Sequence, residues 1–315
     1  MASAHGPGIL LVDKPGGMTS HDVVSRARKA LGTRKIGHAG TLDPLATGLL
    51  VLGVDSATRL LTYMVGLDKT YEATIRLGAA TDSDDSDGEI VWRADPQVVA
   101  AVDAEAIHAH IAALTGRISQ VPSTVSAIKV GGRRAYDLAR AGEEVVLASR
   151  EVTVSRFDVL ELRRAGDVVD LDVVVDCSSG TYIRALARDL GSALGVGGHL
   201  TALRRTRVGP FEITDAVAPE TIATEPLLSS ADVAVRVLGG IEVTDAEASA
   251  LRNGQRLTGA AGRIVGEHAA AIDPAGGLIG IVGRRGADLK SLMNLPTGAA
   301  AEGAAEAAVE SGGAG

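Results

Sequence analysis

Several stretches of the chain carry a readable alternation of apolar and polar positions. Gly8–Val12 is a short apolar run that stops at Asp13-Lys14-Pro15-Gly16-Gly17, which predicts a buried strand ended by a turn. Beyond it Val23, Val24, Ala27 and Leu31 share one helical face, with Ser20 placed to cap the helix and Gly32 to end it. Residues 36–48, IGHAGTLDPLATG, have no period and read as a loop before a second buried strand, Leu49–Val54. Tyr71–Leu77 alternates cleanly: Tyr71, Ala73, Ile75 and Leu77 face inward, Glu72, Thr74 and Arg76 outward. Val169, Leu171, Val173 and Val175 alternate in the same way against Asp170, Asp172, Val174 and Asp176. Ile183, Leu186, Ala187 and Leu190 then predict a helix closed by Gly191.

Strands and helices are mixed without a regular βαβ repeat, so the expected class is α+β with a largely antiparallel sheet. Motifs thin out around residues 225–240. Short strands then resume, Ala269–Asp273 and Leu278–Val282, which predicts a small second β-rich domain. From Thr297 the chain is Ala, Gly and Glu with almost nothing to bury, and residues 297–315 are expected to be disordered.

Composition narrows this picture. The 315 residues are 46% apolar and only 2% aromatic, so each of the four tyrosines merits separate attention. The single cysteine, Cys177, excludes a disulfide framework and a cysteine-based zinc site. No stretch approaches the roughly 18 apolar residues of a membrane helix, and no signal sequence is read at the N-terminus, so a soluble, cytoplasmic protein is expected. The net charge of −8 argues at first against a nucleic-acid partner. Its distribution reverses that: residues 211–315 carry 14 acidic and 7 basic side chains, residues 1–210 carry 25 and 24. Basic clusters at Arg26–Lys35, Lys129–Arg134 and Arg184–Arg207 leave room for a face that attracts phosphate.

On composition alone Asp43 before Pro44 is a turn-former and His38 a loop histidine. Yet GHAGTLDPLATG closely resembles the Gly-His-x-Gly-x-Leu-Asp-Pro-x-Ala-x-Gly signature of TruB-type pseudouridine synthases, with His38 and Asp43 matching position for position. Other segments resemble that family in the same order. They are DKPGGMTSHD (13–22), DKTYEATIRLG (68–78), TDSDDSDGEIV (81–91), PSTVSAIKVGGRRAYDLARAG (122–142), SSGTYIRALARDLG (178–191) and HLTALRRTRVGPF (199–211). Ser123 departs from the pattern, where a second proline is expected. The resemblance implies a catalytic domain over residues 1–235 and a small PUA-like RNA-binding domain over 240–296.

It further implies a cofactor-free enzyme with no metal, which isomerises one uridine (position 55) in the T arm of tRNA; a monomer is the default expectation. Asp43 would be the nucleophile, attacking sugar or base, and Arg184 would hold it ionised, bidentately where geometry allows. Tyr71 would stack on the flipped uracil and relay the C5 proton. His38 would meet the T loop and Tyr182 would line the pocket. Lys14, Lys69, Lys129, Arg204 and Arg205 are candidates for structure around the site or for phosphate contact. Two other classes compete. A non-catalytic RNA-binding or RNA-folding module needs no aspartate facing a polyanion, which Asp43 argues against. A glycosidase wants two opposed carboxylates. The acidic run Asp82–Glu89 instead packs its carboxylates on one polar loop, read as a solvated turn or a cation site without EF-hand spacing.

Overall fold

The computed structural model describes residues 6–123, 129–130, 133–134 and 147–296. The chain opens with β1 (Gly8–Lys14) and α1 (Ser20–Ala30), followed by β2 (Ile36–His38), β3 (Thr47–Val54), a 3-10 helix (Asp55–Tyr63) and β4 (Lys69–Leu77). A hairpin of β5 (Ala79–Thr81) and β6 (Ile90–Arg93) leads to α2 (Pro96–Ala101), α3 (Ala104–Ala113) and β7 (Gly116–Gln120). Short β8 (Lys129–Val130) and β9 (Arg133–Arg134) precede the long strands β10 (Arg150–Ala165) and β11 (Val168–Cys177). Then come α4 (Ile183–Ala193), β12 (Gly198–Val208), β13 (Phe211–Glu212) and α5 (Ser230–Leu238). The remainder is β14 (Gly240–Glu242), α6 (Asp245–Arg252), β15 (Arg256–Leu257), β16 (His268–Ile272), β17 (Leu278–Arg285) and β18 (Asp288–Asn294). No described helix is long and apolar enough to cross a membrane.

The class is α+β, as the mixed pattern implies. A nine-stranded sheet runs β1-β3-β12-β4-β11-β10-β7, with β2 and β13 at its side; only the β3–β12 pairing is parallel. A second, five-stranded sheet runs β14-β16-β17-β18-β15. The alternation of β4 and β11 sorts residues to two faces as expected. Tyr71, Ala73, Ile75 and Leu77 join Leu171, Val173 and Val175 in a core closed by Ile183, Leu186 and Leu190 of α4. The opposite face is polar, its side chains paired across strands: Thr74 to Asp172 at 2.7 Å, and Arg76 to both carboxylate oxygens of Asp170 at 2.7 and 2.8 Å.

Three local expectations need correction. Thr19, not Ser20, caps α1, because Thr19 and Asp22 close a reciprocal capping box. The run 36–48 is not wholly a loop: Ile36–His38 pairs with the end of β3, and β3 itself begins at Thr47. Gly191 does not end α4, which continues to Ala193. Gly191 is needed for proximity: a Cβ there would meet the carbonyl carbon of Gly197 at 2.1 Å. The thinly patterned segment near residue 230 folds as α5, capped by Ser229 and burying Val233 and Ala234.

Candidate active site

The cleft is assembled by sheet register. On β4, Tyr71 stands between Arg205 of β12 and Val175 of β11, while Lys69 stands opposite Cys177. Lys69, Tyr71 and Arg205 therefore point to one face, the side on which the 39–46 loop arches over the sheet. That loop is fixed from three directions. Buried Ser20 donates to the Leu42 carbonyl at 3.0 Å and accepts from the Leu42 N–H at 2.8 Å. Arg205, 1% exposed, donates to the carbonyls of Leu49 (2.8 Å), Gly40 (3.1 Å) and Thr41 (3.5 Å). Lys14, fully buried, donates to the carbonyls of Met18 (2.6 Å), Pro15 (3.0 Å) and Pro44 (3.4 Å). Gly48 closes the loop where β3 meets β12: it has φ +101°, and a Cβ there would lie 2.3 Å from the Arg205 carbonyl oxygen.

At the crest of the loop Asp43 leaves its side chain 40% exposed, directed into a cleft of about 250 Å³. Arg184, one residue into α4 and 4% exposed, places Nη2 3.0 Å from an Asp43 carboxylate oxygen. The pair is single-pronged, not bidentate. The other guanidinium nitrogen, Nη1, is taken by the Ser83 carbonyl at 2.9 Å and faces the Asp85 carboxylate at 3.5 Å. The acidic run is thus no mere solvated turn. Asp85 is 4% exposed and receives the Ser83 hydroxyl at 2.6 Å. Asp84 reaches Arg188 at 3.2 Å, and burial holds its carboxyl above the ordinary range.

Tyr71, Tyr182, Lys69, Arg184 and Arg205 line the same cleft with Asp43. Burial pushes the Tyr71 hydroxyl up, and the charge of Arg205 and a hydrogen bond from it act in the other direction. Lys69 donates to the carbonyl of Val65 at 2.8 Å and to that of Leu67, so its ammonium braces the loop before β4. Burial brings both Lys14 and Lys69 down to about 8, opposed at Lys14 by the charge of Asp43. In this structure these two lysines and Arg205 direct donors to backbone carbonyls around the site. Arg204 points to the other face, clamped on Asp13 at 2.7 and 3.0 Å. His38 lies on β2, half-buried and outside the cleft lining, with a buried Nδ1 that meets no partner among the described residues. Burial lowers its pKa. The Lys129 side chain lies outside the described residues.

Sequence reasoning passed over Gln120. Its side-chain amide, almost fully buried, accepts from the Tyr182 N–H at 2.8 Å and donates to the Tyr182 carbonyl at 3.1 Å. No motif flags it; only the pairing of β7 with β10 brings it to the start of α4.

The cleft thus presents one exposed carboxylate with a buried arginine on it and a buried tyrosine in its lining. Residues 28–183 match the TruB family pseudouridylate synthase N-terminal domain. Residues 184–236 match the tRNA pseudouridylate synthase B C-terminal domain, and 239–296 the tRNA pseudouridine synthase II C-terminal domain. The tRNA pseudouridine synthase B of Leifsonia xyli subsp. xyli is 56% identical over 92% of this chain and 97% of its own. The chain belongs to the TruB family. The Nocardia farcinica member is 62% identical over 79% of this chain and 81% of its own. Among solved structures, an H/ACA ribonucleoprotein bound to a substrate RNA containing 2′-deoxyuridine is similar at 25% identity, with a TM-score of 0.64 over 88% of this chain and 77% of that one. The archaeal box H/ACA Nop10–Cbf5 complex shares the fold at 24% identity, with a TM-score of 0.65 over 91% of this chain and 85% of that one. In this TruB-family chain the matched domains meet between Ile183 and Arg184, so the first carries Asp43 and Tyr71 and the second carries Arg184.

Proposed function

We propose that this chain converts a uridine in the T loop of tRNA, at position 55, to pseudouridine, with Asp43 as nucleophile. The observation that carries the reading is the Asp43 carboxylate, open to the cleft yet held at 3.0 Å by buried Arg184. The reaction breaks the N1–C1′ bond, turns the base, joins C5 to C1′, and exchanges the C5 proton for one on N1. No atom is gained, so no group donor enters. The step calls for an ionised carboxylate at the sugar or base edge and a platform that holds the loosened ring. Asp43 supplies the first and Tyr71, directly below on β4, the second. A cleft of about 250 Å³ takes a single extruded nucleoside rather than a stacked helix, so the target uridine flips out to enter.

Asp43, Tyr71 and Arg184 come from one chain, which supports action as a monomer, in the cytoplasm where tRNA is found. Residues up to 235 are assigned to chemistry and 240–296 to RNA contact, with His38 meeting the T loop and Tyr182 lining the pocket. A binding-only module gains nothing from an exposed carboxylate on its RNA-facing surface, so catalysis is the better reading. The test uses T-arm RNA carrying tritium at uridine C5. Stoichiometric tritium release together with a carbodiimide-reactive pseudouridine at position 55 supports the proposal. Binding without tritium release contradicts it.

A further inference from the structure

The cations that line the cleft already spend donors on the protein itself. Arg184 is committed to Asp43, Ser83 and Asp85, Arg205 to three carbonyls, and Lys69 to two. Arg188, just beyond, is held by Asp84, Asp189 and the Val121 carbonyl. Yet a uridine extruded into the cleft brings its own phosphodiester to the rim, where a charge-assisted donor is worth most.

Arg150 is built for that position. It opens β10, and its backbone pairs with Gln120 of β7, the residue whose amide grips both sides of the Tyr182 peptide. This register fixes Arg150 relative to Tyr182. The guanidinium carbon lies 5.5 Å from the Tyr182 ring centroid, and Nη1 lies 3.8 Å from where a Cβ at Gly180 would stand. Gly180 and Tyr182 both line the cleft. Among the described residues Arg150 makes the ring contact but no hydrogen bond or ion pair. A half-buried guanidinium stacked on an aromatic face keeps its planar fork of N–H donors free for two oxygens of one phosphate.

We propose that Arg150 is a substrate-binding residue that receives the phosphodiester flanking the extruded uridine, while its stacking fixes the Tyr182 ring at the mouth of the cleft. The inference rests on the cleft being the uridine site. The test compares full-length wild type, Arg150→Ala and Arg150→Lys on a T-arm RNA hairpin. It reads affinity across a salt series and the single-turnover rate at saturating RNA. Arg150→Ala is expected to weaken binding about tenfold, the scale of a hydrogen bond to a charged group. It should reduce the slope of log K against log salt by roughly 0.7–0.9. Arg150→Lys should keep the slope. A neutral methylphosphonate at the phosphate beside the target should weaken wild type and leave Arg150→Ala unaffected; with wild type alone, this arm does not depend on how well the variant folds. An unchanged slope or an unchanged affinity in Arg150→Ala overturns the proposal and leaves Arg150 only a prop for Tyr182. Wild type that binds the hairpin without isomerising it refutes the proposed function instead, and the salt and methylphosphonate comparisons still decide the phosphate contact.

Discussion

Lys69 illustrates how a charged side chain becomes part of the scaffold. It is 5% exposed and its ammonium is spent on the carbonyls of Val65 and Leu67. Its pKa is lowered by burial to about 8, whereas in the unfolded chain it stays near 10.5. Between these values the unfolded state binds the proton that the fold has released, so stability rises with pH across about 8 to 10.5 and the contribution fades as pH falls through 8. Urea unfolding of wild type and Lys69→Met should therefore show a wild-type advantage that grows from pH 7.5 to pH 9.5, by at most about 1.4 kcal/mol per pH unit. A difference independent of pH removes this account of Lys69. Tyr71 tests the platform. Tyr71→Phe should keep RNA affinity, while Tyr71→Ala should lose on the order of 1–3 kcal/mol of it. Loss of turnover in Tyr71→Phe at unchanged affinity gives the hydroxyl a chemical part; no effect from either variant returns Tyr71 to plain core packing. At this scale Asp43 was legible because its motif is long and specific. The burial of Arg205 was not: the register shift between Leu200 and Ala202 breaks the two-residue period, so adjacent Arg204 and Arg205 cannot be sorted to faces from sequence.

Elements position the site through contacts between segments far apart in the chain. Ser20 sits in the first turn of α1, buried, and makes both of its hydrogen bonds to Leu42 beside Asp43. Ser20→Ala leaves a buried donor and acceptor unpaired, which costs about 1–3 kcal/mol of stability. It should also lower kcat more than it raises KM, because the Asp43 loop loses its tie to α1. Steady-state kinetics beside a thermal melt check this, and unchanged kcat in a destabilised protein confines Ser20 to stability. The helical period of α1 was plain, but Thr19 outcompetes Ser20 as cap because the Asp22 side chain reciprocates at the Thr19 N–H. That exchange frees Ser20 for the loop. The period of α4 was equally plain, while its true end was hidden: Gly191 serves close approach to Gly197 rather than termination.

Across the whole molecule, the change of pattern near residue 240 suggested a small second domain. Its sheet has a core of its own, with Ile241, Leu251 and Leu289, and also shares one: Ile9, Leu49 and Leu60 pack in one cluster with Val233 of α5 and with Ala270 and Ile281 of the second sheet. Arg59 donates to the Asn294 carbonyl at 2.7 Å, and the rings of Tyr63 and His268 meet edge-on at 5.8 Å. A chain ending at Gly239 should thus lose more than tRNA contact: its melting temperature should fall by more than about 8 °C, since each kcal/mol is worth a few degrees at this size. A shortened chain that melts like the full one, and differs only in RNA affinity, contradicts the shared core. Alternation within single strands could not reveal this, because the cluster joins residues more than two hundred positions apart.

The central claim is that the Asp43 carboxylate performs the chemistry of a site otherwise built to bind. Asp43→Asn preserves side-chain shape and removes the negative charge that Arg184 faces at 3.0 Å. The direct measurement is single-turnover pseudouridine formation on T-arm RNA, made alongside the dissociation constant of the same RNA. The account predicts product formation reduced below detection, with affinity equal to wild type or tighter for want of one negative charge near the phosphates. An Asn variant that isomerises bound RNA at the wild-type rate contradicts it.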